Sequence, residues 1–141
     1  MAGTTLALLY VFLLPTLLGN ELKIQVDGLR STKGVVHILV YDDETAFAGS
    51  STTDITAWAS EAPTGERMVV SVGWLPPGRY AIVLHHDENA DQVMNMENGL
   101  PIEGYAYSNN VGGQAEPKFS DAAFTFEQAH TLKPMKMIYL N

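Results

Sequence analysis

Apolar residues in this chain come in short runs closed by turn formers, and that spacing limits the fold more than any other feature. Val35-Val36-His37-Ile38-Leu39-Val40-Tyr41 opens after Gly34, and Tyr80-Ala81-Ile82-Val83-Leu84-His85-His86 opens after Pro76-Pro77-Gly78. Both are rich in β-branched and aromatic side chains and too continuous to leave a face in water, so each reads as a central strand. Leu22, Ile24 and Val26 alternate with Glu21, Lys23, Gln25 and Asp27, the period of a half-buried strand that ends at Gly28. Met68 to Trp74, Phe124 to Phe126 and Met137 to Leu140 complete the set, with Pro134 starting the last. Trp74 shares strand parity with Val72 and Val70, which predicts a core position. Thr52 to Ser60 is the one candidate helix, with Thr53 or Asp54 as its cap. Six or seven short strands with turns between them predict an all-β fold, an antiparallel β-sandwich of Greek-key type.

Length and composition allow one such domain. The chain has 141 residues and 46% hydrophobic content, enough for a single core. Its net charge of −8 and its lack of a basic cluster exclude a phosphate-tracking nucleic-acid binder. With no Cys there is no disulfide framework, thiolate zinc site, cysteine nucleophile or lipoprotein anchor.

Residues 1–19 differ from the rest. They carry no charged side chain and hold an unbroken apolar run, Leu6 to Leu14, closed by Pro15. A membrane-spanning helix needs about 20 apolar residues. This segment is shorter, which predicts a cleaved signal peptide ending at Gly19 and a mature domain of residues 20–141. The expected location is periplasmic or secreted, with no stable membrane insertion after processing.

Residues 85–110 form the informative stretch. A loop of this length is functional or disordered in most compact domains, and Met94, Met96, Leu100, Tyr105 and Tyr107 argue against disorder. From Tyr80 to Pro117 there is no Lys or Arg, while Asp87, Glu88, Asp91, Glu97, Glu103 and Glu116 fall within the stretch. Asp87, Asn89, Asp91 and Asn95 stand at relative positions 1, 3, 5 and 9, with the Val93 carbonyl at 7, the ligand spacing of an EF-hand-type calcium loop. Gln92 replaces the turn glycine and Asn98 the bidentate glutamate, so the expected cofactor is weakly bound Ca²⁺. The alternative is an Asx-rich turn whose side chains bond their own backbone.

The segments His86-Asp87-x-Asn89 and Gly99-x-Pro101-x-Glu103-Gly104-Tyr105-Ala106-Tyr107-Ser108-Asn109-Asn110 resemble the signature of the exported bacterial family called domain of unknown function 2141. Gly34-Val35-Val36, Val40-Tyr41-Asp42, Leu75-Pro76-Pro77-Gly78-x-Tyr80-Ala81, Pro117-x-Phe119 and Ala123-Phe124 fit the same pattern. Gln92 replaces a glycine of that pattern, and Ala106-Tyr107 a Gly-Phe pair. The resemblance implies a signal peptide followed by a transthyretin-like or immunoglobulin-like sandwich, and no activity.

Two functional classes follow. The first is a non-enzymatic binding or structural module of the bacterial envelope, its partner an envelope protein or a small ligand. Its ligand-facing residues would be His86, Glu103, Tyr105, Tyr107, Ser108 and Asn109, with no catalytic residue. The second is a metal-dependent or carboxylate-based hydrolase using His86, Asp87 and Glu103. His85 and His86 must point to opposite faces of their strand, so one alone can join such a site. His86, beside Asp87, is the natural choice, with His37 on a neighbouring strand as a second imidazole. The plainer role for such a histidine is to pin the loop to the sheet.

Overall fold

A computed structural model of the chain describes residues 20–113, 115–127 and 130–141. The expected signal peptide, residues 1–19, lies outside them. The strands are β1 (Asn20–Asp27), β2 (Val35–Tyr41), β3 (Ala57–Glu61), β4 (Met68–Leu75), β5 (Gly78–Asp87), β6 (Met96–Glu97), β7 (Leu100–Pro101), β8 (Gly104–Tyr107), β9 (Phe124–Phe126) and β10 (His130–Lys136). Two short helices, α1 (Glu44–Ala48) and α2 (Phe119–Ala122), lie between them. One sheet has the order β10-β1-β4 and the other β3-β2-β5-β8, with β9 paired to the start of β5. No helix among the described residues is long and apolar enough to cross a membrane.

The two sheets close on one core, and alternation along the strands builds it. Leu22, Ile24 and Val26 of β1 and Val70 of β4 join a cluster with Val36, Ile38 and Val40 of β2 and Ile82 and Leu84 of β5, all essentially inaccessible to water. Phe126 and Met135 complete it. The fold is therefore the expected all-β sandwich, mostly antiparallel, with β10 running parallel to β1.

Four local expectations change. The Thr52–Ser60 helix is not formed; β3 occupies its second half, because five consecutive backbone partners on β2 outweigh a weak local helix signal. The helix falls instead at Glu44–Ala48, where the Asp43 carboxylate caps the Ala46 N–H at 2.8 Å. Trp74 is 59% exposed. Leu22 pairs with Gly73 and Lys23 with Ser71, so Val72 is an extra residue in β4. That bulge, with Gly73 at φ 91°, reverses the parity and turns Leu75 inward in place of Trp74. The last strand begins at His130 and contains Pro134; on the edge strand its missing N–H costs no ladder bond. Finally, the 85–110 stretch is not strandless. It holds the β6–β7 hairpin and then β8, an edge partner of β5.

Candidate functional site

The outer face of the β3-β2-β5-β8 sheet is assembled by register. Ser60 pairs with His37, His37 with His85, and His85 with Tyr105, so these four side chains form one row across the sheet. The next row is Trp58, Leu39, Val83 and Tyr107. Helices α1 and α2 cover only the far end of this face. There Phe47 packs edge-on against Tyr41, Tyr107 and Phe119, with ring centroids 5.8, 6.1 and 5.9 Å away. What the helices leave open is a groove of 1380 Å³ with both rows in its lining. Met94, Met96, Leu100 and Pro101 line one part of it, and Ser50, Thr52, Thr53 and Ile55 another.

The histidine row is backed by two buried carboxylates. His37 Nε2 lies 3.0 Å from Asp87 Oδ2, and its Nδ1 lies 2.8 Å from Ser60 Oγ. An ionised carboxylate only accepts, so Nε2 carries the proton and Nδ1 accepts from the Ser60 hydroxyl, a tautomer assigned from the network. His85 Nε2 lies 3.2 Å from Glu103 Oε1. The two imidazole centroids are 5.5 Å apart.

Both carboxylates are also held by loop backbone. Asp87 accepts from the N–H groups of Asp91 at 3.1 Å and Gln92 at 2.8 Å. Glu103 accepts from those of Glu88 and Asn95, each at 3.0 Å. Burial pushes the Asp87 carboxyl up, but the His37 bond and the Gln92 and Asp91 N–H groups outweigh it and hold it below the ordinary value. The Arg30 guanidinium lowers Glu88 likewise, against a smaller effect of burial and with help from Ser31.

Each residue expected at the site can now be placed. Asn89, Asp91 and Asn95 come together: the Asn89 amide donates to Asp91 and Asn95, and the Asn95 amide to Asp91, at 3.0–3.2 Å. The Asp91 carboxyl is held down by the Asn95 amide first and by the Val93 N–H. Val93 is exposed and bonds Asp91 through its backbone N–H at 3.0 Å. Gln92 takes φ 65°, so the chain makes a left-handed turn where a calcium loop would use glycine. The Asp87 carboxylate belongs to both, to this loop through the Asp91 and Gln92 N–H groups and to the histidine row through His37.

Tyr105 and Tyr107 line the groove, and Tyr105 also donates to the Gly113 carbonyl at 2.9 Å. Three other residues are placed away from it. His86 is buried on the core face, 2.8 Å from both the Tyr139 hydroxyl and the Lys33 carbonyl. It therefore does not share a face with Asp87 and Glu103; His85 does. Ser108 is buried, accepting from the Ile82 N–H at 2.9 Å and donating to the Ala122 carbonyl at 2.6 Å. Asn109 donates to the carbonyls of Asp121 and Ala123, both at 3.0 Å. These two fasten α2 to the sheet.

His85 and Ser60 are the residues sequence reasoning did not assign, and His37 was expected only as a second imidazole beside His86. Strand parity put His85 with Val83 and His86 with Leu84, but both faces of β5 are lined with apolar residues. Which face met the core was therefore not readable from the strand itself.

Comparison with curated proteins and with solved structures finds no match. A family model described as an uncharacterised protein conserved in bacteria matches residues 24–133, from the second apolar position of β1 into β10. The chain therefore belongs to that bacterial family, DUF2141.

Proposed function

We propose that the protein is an exported, non-enzymatic binding module of the bacterial envelope, and that the outer groove takes a small ligand with an aromatic or acyl body and a hydrogen-bonding head. One observation carries this reading: large apolar side chains left in water converge on the groove. Trp58 is 68% exposed, Leu100 56% and Met96 54%, and all three line it together with Leu140. Scattered exposed hydrophobes need no explanation, but a set of them around a concave site is what a ligand pocket requires. Trp58, Tyr105 and Tyr107 offer flat apolar surfaces to the body, and the Ser60–His37–His85 row offers polar atoms to the head.

Trp58 lies in the groove and Trp74 on the other sheet, so fluorescence separates the two faces. Titration with laurate and with 1-anilinonaphthalene-8-sulfonate should quench or shift emission saturably in a Trp74→Phe variant and leave a Trp58→Phe variant unchanged. Equal responses from both variants, or none, would refute the assignment. Export is read by intact mass of envelope-extracted protein, which should begin near Asn20.

A second reading, weak Ca²⁺ binding by Asp87, Asn89, Asp91, Val93 and Asn95, is favoured by the left-handed turn at Gln92. What supports a plain clasp instead is that N–H donors already reach the Asp87 and Asp91 carboxylates. Melting temperature in millimolar Ca²⁺ against chelator separates them, rising only if the loop takes the ion.

A further inference from the structure

We propose that His85, Asp87 and Glu103 bind a divalent transition ion of the Zn²⁺ or Mn²⁺ class at the histidine end of the groove. One ligand atom from each of the three lies within 4.8 Å of the others. Coordination at about 2.0–2.2 Å asks these donors to close to roughly 3–3.5 Å of one another. His85 Nε2 and Glu103 Oε1 are already 3.2 Å apart.

Three features argue for a site rather than a hydrogen-bonded cluster alone. The first is charge. Asp87 and Glu103 are both buried, and among the described residues they are bonded by imidazoles and backbone N–H groups, not by Lys or Arg. Two carboxylates this close repel, and a cation between them turns that repulsion into attraction. The second is free acceptor capacity. Asp87 Oδ1 and Glu103 Oε2 each accept one bond, from Asp91 and Glu88, which leaves each a lone pair for an ion. The third is preorganisation. Four loop N–H groups already fix both carboxylates, and His37 bonds Asp87 as an outer partner that orients it. One nitrogen with two carboxylates suits Zn²⁺ or Mn²⁺ better than a soft ion. His85 lines the groove, so solvent or a ligand head can fill the ion's remaining positions from that side. The site stands apart from the groove's apolar floor, and its failure would leave the fluorescence assignment of Trp58 untouched.

The test uses chelator-treated protein with Zn²⁺ and Mn²⁺ alone as probes. Calorimetry should give one equivalent of Zn²⁺ bound and a raised melting temperature. His85→Ala and Glu103→Gln should abolish saturable binding, and His37→Ala should weaken it about 10–100-fold. Glu97→Ala, exposed on β6 of the same stretch and outside the set, should bind as the parent does. In the unmodified protein, Mn²⁺ should broaden the His85 and Tyr105 ring resonances before those of Trp74 on the other sheet, a readout independent of how well any variant folds. No heat and no broadening with either ion overturns the proposal. So does binding that survives His85→Ala, or that is lost with Glu97→Ala instead.

Discussion

Replacing Glu103 with Ala tests the clasp directly, because the structure fixes what is lost. Glu103 is buried and accepts three bonds, from the Glu88 and Asn95 N–H groups at 3.0 Å and from His85 at 3.2 Å. Alanine leaves two backbone donors without an acceptor on the loop's inner side. Each orphaned donor costs about 1–3 kcal/mol, less whatever water recovers by entering the space. The expected loss is about 2–4 kcal/mol in chelator, where no ion contributes. For a domain of this size that lowers the melting temperature by roughly 10 °C. Glu103→Gln keeps one amide oxygen as acceptor and should lose about half as much. Hydrogen exchange supplies the local readout: the Glu88 and Asn95 amides should lose protection in Glu103→Ala, while those of β1 change only with global stability. Melting within error of the parent, with both amides still protected, would refute the clasp and make Glu103 a ligand-facing group without a structural role.

Gly34 has φ 65°, and a Cβ there would sit 1.9 Å from the Asp87 carbonyl oxygen; Gly34→Ala should cost more than about 3 kcal/mol or prevent folding, read by urea unfolding. Gln92→Gly should stabilise by about 0.5–1 kcal/mol in the same assay, since glycine adopts the left-handed turn without strain. Asp87 and Glu88 lie below their ordinary values of 3.8 and 4.5 in the folded state, so their stabilisation is full above those values and lost as pH falls through the lower folded ones. The urea midpoint should therefore drop below about pH 4, and Asp87→Asn with Glu88→Gln should flatten that drop.

The strands of the core were legible in the chain because a strand announces itself locally. Alternation in β1, continuous β-branched runs in β2 and β5, and the Pro77-Gly78 turn each depend on neighbours a few residues away. The loop was legible for the same reason, since Asp87, Asn89 and Asp91 bond backbone N–H groups within a few residues of themselves. Tertiary structure decided the rest. Whether Trp74 points in or out turned on one extra residue in β4, a difference the period-2 pattern hides until the β1 register is known. Whether Thr52–Ser60 became helix or strand turned on β2 offering a free edge. The site depended most on long-range register: Ser60, His37, His85 and Tyr105 are separated widely in sequence and become one row only when four strands pair. The pairing of His37 with His85, one residue from His86, put the His85 imidazole on the groove and that of His86 in the core. A single step in register exchanges the two faces of a strand, and no local pattern in β5 records which one the other sheet will cover.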